Sequence, residues 1–212
     1  GMWLSKPVSK GICDALIGEV PVDDALVHTK YGDVLPSNKA LAGAGIELIG
    51  MERREFLLRD ALDKVKDRYD FLFIDCPPSL ELLTLNALCA ADAILVPVPG
   101  EYYALEGLSD LMHTVRIVRR SLNPRLELDG VLLTMFDGRT TLAREVESEV
   151  RSYFPDATLD TKVPRSIRVA EAPSFGAPVV FWDPRSTGAI AYKKMAREVA
   201  LRGAPRIEGE EA

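Results

Sequence analysis

The sequence predicts an α/β protein: a doubly wound, mostly parallel sheet with helices on both faces. Two observations carry that expectation. Apolar runs of strand length alternate along the chain with segments of helical period, the pattern of repeated βαβ units. The strand-length runs are nearly continuous in apolar residues, as strands covered on both faces are, instead of alternating apolar and polar. With 212 residues, 47% of them apolar, the chain is long enough to bury a sizeable core.

Taken in order, Ser9 is placed to cap a short helix over Ile12, Leu16 and Ile17. The first strand-like run is GDVLPSN (32–38). Phe56, Leu57, Leu58, Ala61, Leu62 and Val65 then form a wide apolar stripe at helical spacing over 54–67. DFLFID (70–75) reads as a strand that ends on an acid, and Pro77 and Pro78 hold the exit from it extended. A helix follows over Leu80, Leu83, Leu85 and Leu88, with Ser79 as its cap. AILVPV (93–98) is the next strand, and Leu108, Leu111, Val115, Ile117 and Val118 mark a long helix. GVLLTMF (130–136), a helix over Leu142, Val146 and Val150, and the runs ATLDTKVP (157–164) and APVVFW (177–182) complete the alternation. One domain over 1–203 is expected, followed by a disordered acidic tail at 204–212.

Charge is unevenly distributed. The net charge is −6, yet residues 161–206 hold nine Lys/Arg against three Asp/Glu. A basic C-terminal third on an acidic body suits an anion-binding face, or the solvated side of late helices. Three cysteines without CxxC spacing argue against both a disulfide framework and a zinc site, and point to a reducing, cytoplasmic setting. No run of eighteen apolar residues or signal-like N-terminus is present, so no membrane association is expected.

In open α/β sheets ligands gather beyond the C-terminal ends of the strands. Here those ends carry Asp75-Cys76-Pro77-Pro78, Pro97-Val98-Pro99, Met135 to Arg139, and Val163-Pro164-Arg165. An acid at such a position commonly serves a Mg²⁺-phosphate site, beside a glycine-rich loop whose N–H groups cradle the phosphates.

The stretch YDFLFIDCPPSLELLTLNALCAADAILVPVPGEYYALEGL resembles the switch region of the ParA/Soj partition ATPases. These belong to the deviant Walker-A class that also holds MinD and the nitrogenase iron protein. LPSNKALAGAGIEL, SLNPRLELDGVLLTMFDGRT and VPRSIRVAEAPSFGAPVVFWDPRSTGAIAYKKMAREV extend the likeness over about residues 11–202. The resemblance implies a P-loop NTPase-like fold, ATP and Mg²⁺ as cofactors, and Asp75 as the catalytic, Mg²⁺-site acid of the second switch. It also implies Met135, Pro164 and Arg165 on the nucleotide's base side, and Arg139 and Arg168 in non-specific DNA binding. The implied partners are a second copy of the chain, DNA of the nucleoid, and a ParB-like centromere-binding protein of chromosome or plasmid. Glu101, Tyr102, Tyr103 and Glu106 are assigned to packing and interface.

One part of the family pattern is absent from the sequence. No GxxxxGK[ST] occurs, so by resemblance the first strand–loop–helix–strand is missing, with its phosphate-binding N–H groups and lysines. The expectation is therefore an N-terminally truncated relative that does not hydrolyse ATP, in a sheet that closes by altered pairing or oligomerisation. The alternative is a nucleotide-free binding or regulatory module that pairs with a full-length paralogue.

Overall fold

The computed structural model describes residues 10–37, 48–77 and 81–202. Its fold class is the expected one, α/β with parallel strands and flanking helices. The chain forms two compact units, one of Gly1–Asp92 with Leu111–Leu126 and the other of Ala93–Asp110 with Glu127–Ala212.

In the first unit, helix α1 (Ile12–Leu16) starts at Gly11, whose N–H donates to the Asp14 carboxylate at 2.6 Å. The proposed cap Ser9 lies outside the described residues. After α2 (Val22–Ala25), β1 (Val27–Thr29) and β2 (Gly32–Val34) pair antiparallel through a tight turn. The 32–38 run therefore contributes an antiparallel hairpin arm, not a parallel strand: only Lys30 and Tyr31 separate it from its partner, and a connection that short can only turn back on itself.

Helix α3 (Leu57–Leu62) and a 3₁₀ turn at Lys66–Arg68 replace the single helix expected over 54–67. The buried residues of the stripe are Leu58, Ala61 and Val65. Helix α4 (Leu82–Ala90) has Glu81 at its N-cap position; the proposed cap, Ser79, is outside the described residues. Cys13, Leu16, Leu48, Leu58 and Ala87 form the shared core.

Two buried asparagines tie this unit together. Asn86 accepts from the Leu58 N–H (3.1 Å), one of the N–H groups that the first turn of α3 leaves without an intrahelical partner. Its amide nitrogen donates to the carbonyls of Arg54 (2.7 Å) and Leu82 (3.0 Å). Asn123 donates to the carbonyls of Leu88 (3.0 Å) and Ala91 (2.8 Å) at the other end of α4.

The 70–75 run does not form a strand. Residues 71–77 have no strand assignment, Phe71, Leu72 and Phe73 are exposed, and no described residue pairs with them. β-like composition is insufficient by itself, because a strand exists only where a neighbour takes up its N–H and C=O groups.

In the second unit, β3 (Ala93–Pro99) and β4 (Glu127–Thr134) run parallel, with one irregularity between Ile94 and Leu95. Residues 157–164 lie along the other edge of β4. The Val131 N–H donates to Ala157, Leu159 to Val131, Val163 to Leu133 and Phe136 to Val163, all at 2.9–3.0 Å. The expected strand at 157–164 is thus present as a partial third member, through isolated bridges at Thr158 and Pro164. Helix α5 (Tyr103–Ser121) begins in this unit.

Helix α6 (Thr141–Tyr153) is capped by the Thr140 hydroxyl, which accepts from the Ala143 N–H. It buries Ala143, Val146 and Val150, while Leu142 turns outward. Helix α7 (Ile167–Glu171), a 3₁₀ turn at Ala172–Phe175, α8 (Val179–Trp182) and α9 (Thr187–Arg202) follow. The 177–182 run is helical instead of extended. Pro178 sets the backbone for a helix start, and the Phe181 and Trp182 N–H groups both return to its carbonyl at 2.9 and 3.0 Å. A four-residue apolar run carries no period that separates helix from strand. Helix α9 approaches α7 closely at Gly188, where a Cβ would overlap the Val169 side chain.

Candidate functional site

The second unit gathers its polar groups beyond the C-terminal ends of β3, β4 and the 157–164 segment. Met135, the first residue after β4, has φ 48° and is half-exposed. A non-glycine residue in the left-handed region is uncommon and marks a backbone held by its surroundings. The next residue, Phe136, is bridged to Pro164, so Met135 and the Pro164-Arg165 pair stand at the same edge. Arg165 reaches Glu101, just past β3, at 3.4 Å. Three sequence-predicted positions and one acid from a third loop therefore meet here.

Arg139 sits at the turn from β4 into α6. Its side chain is 90% exposed, yet it is paired: Nε and Nη2 donate to the two carboxylate oxygens of Asp137 at 2.8 and 2.6 Å. This fork, with the Arg139 N–H, holds the Asp137 carboxyl down at about 2, and Arg165 adds a smaller pull in the same direction. Sequence reasoning passed over Asp137. The signal was an Asp-Gly-Arg turn, whose acid sits two residues before an arginine already singled out.

Arg168, in α7, contacts Glu171 (3.2 Å) and Asp183 (3.5 Å) and lies over the Trp182 ring at 5.7 Å. Beside the edge, a cleft of about 530 Å³ is lined by Thr161, Lys162, Pro164, Thr187, Ile190 and Lys194 among others. Lys162 donates to Glu147 at 2.6 Å and rests 4.7 Å over the Phe136 ring. Burial works against the charged form of Glu147, but Lys162 and Arg151 outweigh it and keep the carboxyl below its ordinary value. Tyr102 and Tyr103, at the start of α5, are exposed and touch edge to face.

Asp75 belongs to the first unit, exposed on the extended 71–77 segment. Its neighbour Cys76 has its thiol pushed up, first by the packing around the sulfur and then by the Asp75 charge.

Residues 3–128 match the AAA domain family. The chain is 49% identical over 206 residues to the sporulation initiation inhibitor protein Soj of Bacillus subtilis, spanning 96% of this chain and 81% of that protein. It is 47% identical over 197 residues to the chromosome partitioning protein ParA of Myxococcus xanthus, spanning 92% and 70%. The chain belongs to the ParA/Soj family.

A solved structure is similar to this ParA/Soj-family chain as well. It is cobyrinic acid a,c-diamide synthase from Mycobacterium smegmatis with a bound ATP analog and magnesium, 36% identical, with a TM-score of 0.76 over 90% of this chain and 71% of that one. The fold of this ParA/Soj relative is that of the P-loop NTPases. Asp75 is a single carboxylate on an exposed, unpaired segment, and no group of three or more His, Cys, Asp or Glu able to hold a metal ion occurs among the described residues. No described helix is long and apolar enough to cross a membrane.

Proposed function

We propose that this chain serves DNA partition as a ParA/Soj-type protein, meeting DNA through the arginine-bearing edge of its second unit without reading sequence. The observation that carries the reading is Arg139, a guanidinium 90% exposed at the strand-to-helix turn where Pro164 and Arg165 also stand. An exposed guanidinium at a turn suits contact with phosphate, which carries no sequence information directly. Arg168, Arg185, Lys193 and Lys194 extend the basic character of the C-terminal third. By the same reading the protein works in the cytoplasm at the nucleoid, as an oligomer, with a ParB-like centromere-binding partner.

ATP with Mg²⁺ is the family's cofactor, and Met135, Pro164 and Arg165 are the base-side contacts this chain retains. With no GxxxxGK[ST] in the sequence, the charge-assisted contacts that supply most phosphate affinity are not provided, and this polypeptide does not hydrolyse ATP. That same gap favours a second reading, a nucleotide-free module that pairs with a full-length paralogue. An in-frame KGGVGKTT-type segment upstream in the gene decides for the first reading; recovery of a paralogue in complex with this chain decides for the second.

The direct test is DNA binding against salt. Non-specific binding by one basic face lies near or weaker than about 10⁻⁴–10⁻⁶ M at physiological salt, so binding is expected only at low salt, indifferent to sequence and to ATP. Arg139→Glu with Arg168→Glu should abolish it. Undiminished low-salt binding in that double variant removes these arginines from the interface.

A further inference from the structure

Three arginines at and near this edge of the second unit carry carboxylate partners: Arg165 has Glu101, Arg168 has Glu171 and Asp183, and Arg139 has Asp137. Arg139 differs in kind. Only there do two guanidinium nitrogens meet both oxygens of one carboxylate, at 2.8 and 2.6 Å. The backbone N–H of Arg139 donates to the same carboxylate at 3.1 Å. The Asp137 carbonyl accepts from the Thr140 N–H (3.1 Å) and hydroxyl (3.0 Å), and that hydroxyl in turn caps α6. Asp137 is therefore anchored by the turn, and its carboxylate is delivered to the arginine by the backbone.

A paired fork of this shape is also how a guanidinium takes two phosphate oxygens. We infer that Asp137 sets the affinity of the DNA-facing edge, acting as an in-chain carboxylate that occupies the Nε/Nη2 side of Arg139 and that a DNA phosphate displaces when it takes that side of the fork. The inference rests on the reading that Arg139 faces DNA. It gives the edge a preference for polyanions: a lone phosphate gains little by replacing one carboxylate with another anion, whereas several linked phosphates recover the loss at neighbouring cations. Because the carboxyl is held at about 2, it is ionised throughout the physiological range, and the competition does not switch with pH.

The test is a double-mutant cycle on duplex DNA at low salt, read by fluorescence anisotropy: the parent chain, Asp137→Asn, Arg139→Ala and the two together. Asparagine keeps an oxygen for the Arg139 N–H and so keeps the turn; Asp137→Ser does the same if the asparagine variant does not fold. Asp137→Asn should tighten binding about two- to fivefold, the range for an exposed ion pair, and steepen the salt dependence by up to about one ion. Arg139→Ala should weaken binding, and adding Asp137→Asn to it should gain nothing. If Arg139→Ala weakens binding and Asp137→Asn leaves it unchanged, the carboxylate is no competitor, and the DNA reading stands without this inference. Equal tightening with and without Arg139 shows a general charge effect and overturns it. If Arg139→Ala has no effect, the DNA assignment of Arg139 falls and the inference falls with it.

Discussion

At the scale of single residues, the consequential side chains are polar groups whose partners are backbone atoms or a near neighbour. Asn86 is 1% exposed and satisfies one N–H and two carbonyls from three separate turns. Asn86→Ala leaves these groups buried without partners. It should cost about 1–3 kcal/mol, seen as a lower urea midpoint with an unchanged slope. Asp137 gives a prediction of a different kind. Its folded-state value is depressed from 3.8 to about 2, so the stabilisation it provides is present above 3.8 and is lost as pH falls from there through about 2. An NMR titration of the Asp137 carboxyl should place its midpoint near that lower value in the parent chain and return it toward 3.8 in Arg139→Ala. An unchanged midpoint would mean the fork is not formed in solution.

At the scale of elements, the last helix is fastened at its far end. Arg202 Nη1 donates to the carbonyls of Asp129 (2.9 Å), Asp156 (3.2 Å) and Ala157 (3.3 Å), and Nη2 to Thr158 (3.4 Å). One guanidinium thus joins the C-terminal turn of α9 to the start of β4 and to the 157–164 segment. A turn earlier, the Glu198 carboxylate accepts from the Asp160 and Thr161 N–H groups. Burial opposes its charge, but those N–H donors prevail and hold it below its ordinary value. Hydrogen bonds to a charged group contribute about 1.5–3 kcal/mol, so Arg202→Ala should destabilise by roughly that much. Amide exchange should speed up in the last turns of α9 first, with Arg202→Lys recovering only part because an ammonium has no fork. Uniform exchange changes across the unit would contradict a local clamp.

At the scale of the whole molecule, two predictions concern what the chain binds. A ligand at a hundred times its Kd stabilises by about 2.7 kcal/mol, readily visible in a melting curve. ATP with Mg²⁺ should give no such rise, since the sequence has no GxxxxGK[ST]; a clear Mg²⁺-dependent rise would mean that other residues have rebuilt a phosphate site. Phe71, Leu72 and Phe73 are exposed, Phe73 to 78%, on an extended segment with free backbone groups among the described residues. Such an edge invites a second chain, so light scattering should find a dimer or larger species. A clean monomer at high concentration would show that this segment is covered within the chain.

The family was legible in the motifs spread over 35–199, and the α/β class and the strand runs at 93–98 and 130–136 were legible because long apolar runs and helical stripes are properties of neighbouring residues; the strands themselves span Ala93–Pro99 and Glu127–Thr134. Legible too were Met135, Pro164 and Arg165 as strand-end positions, since strand ends follow from where apolar runs stop. Tertiary structure decided whatever depended on a distant or absent partner. DFLFID has a strand's composition and lacks a described ladder neighbour, so it stays extended and exposed. APVVFW has the same composition, and Pro178 with Trp182 turns it into helix. Arg139 was visible as a cation in a turn. Only the folded turn brings the Asp137 carboxylate onto its guanidinium, because the meeting of two side chains depends on backbone torsions that residue order does not spell out.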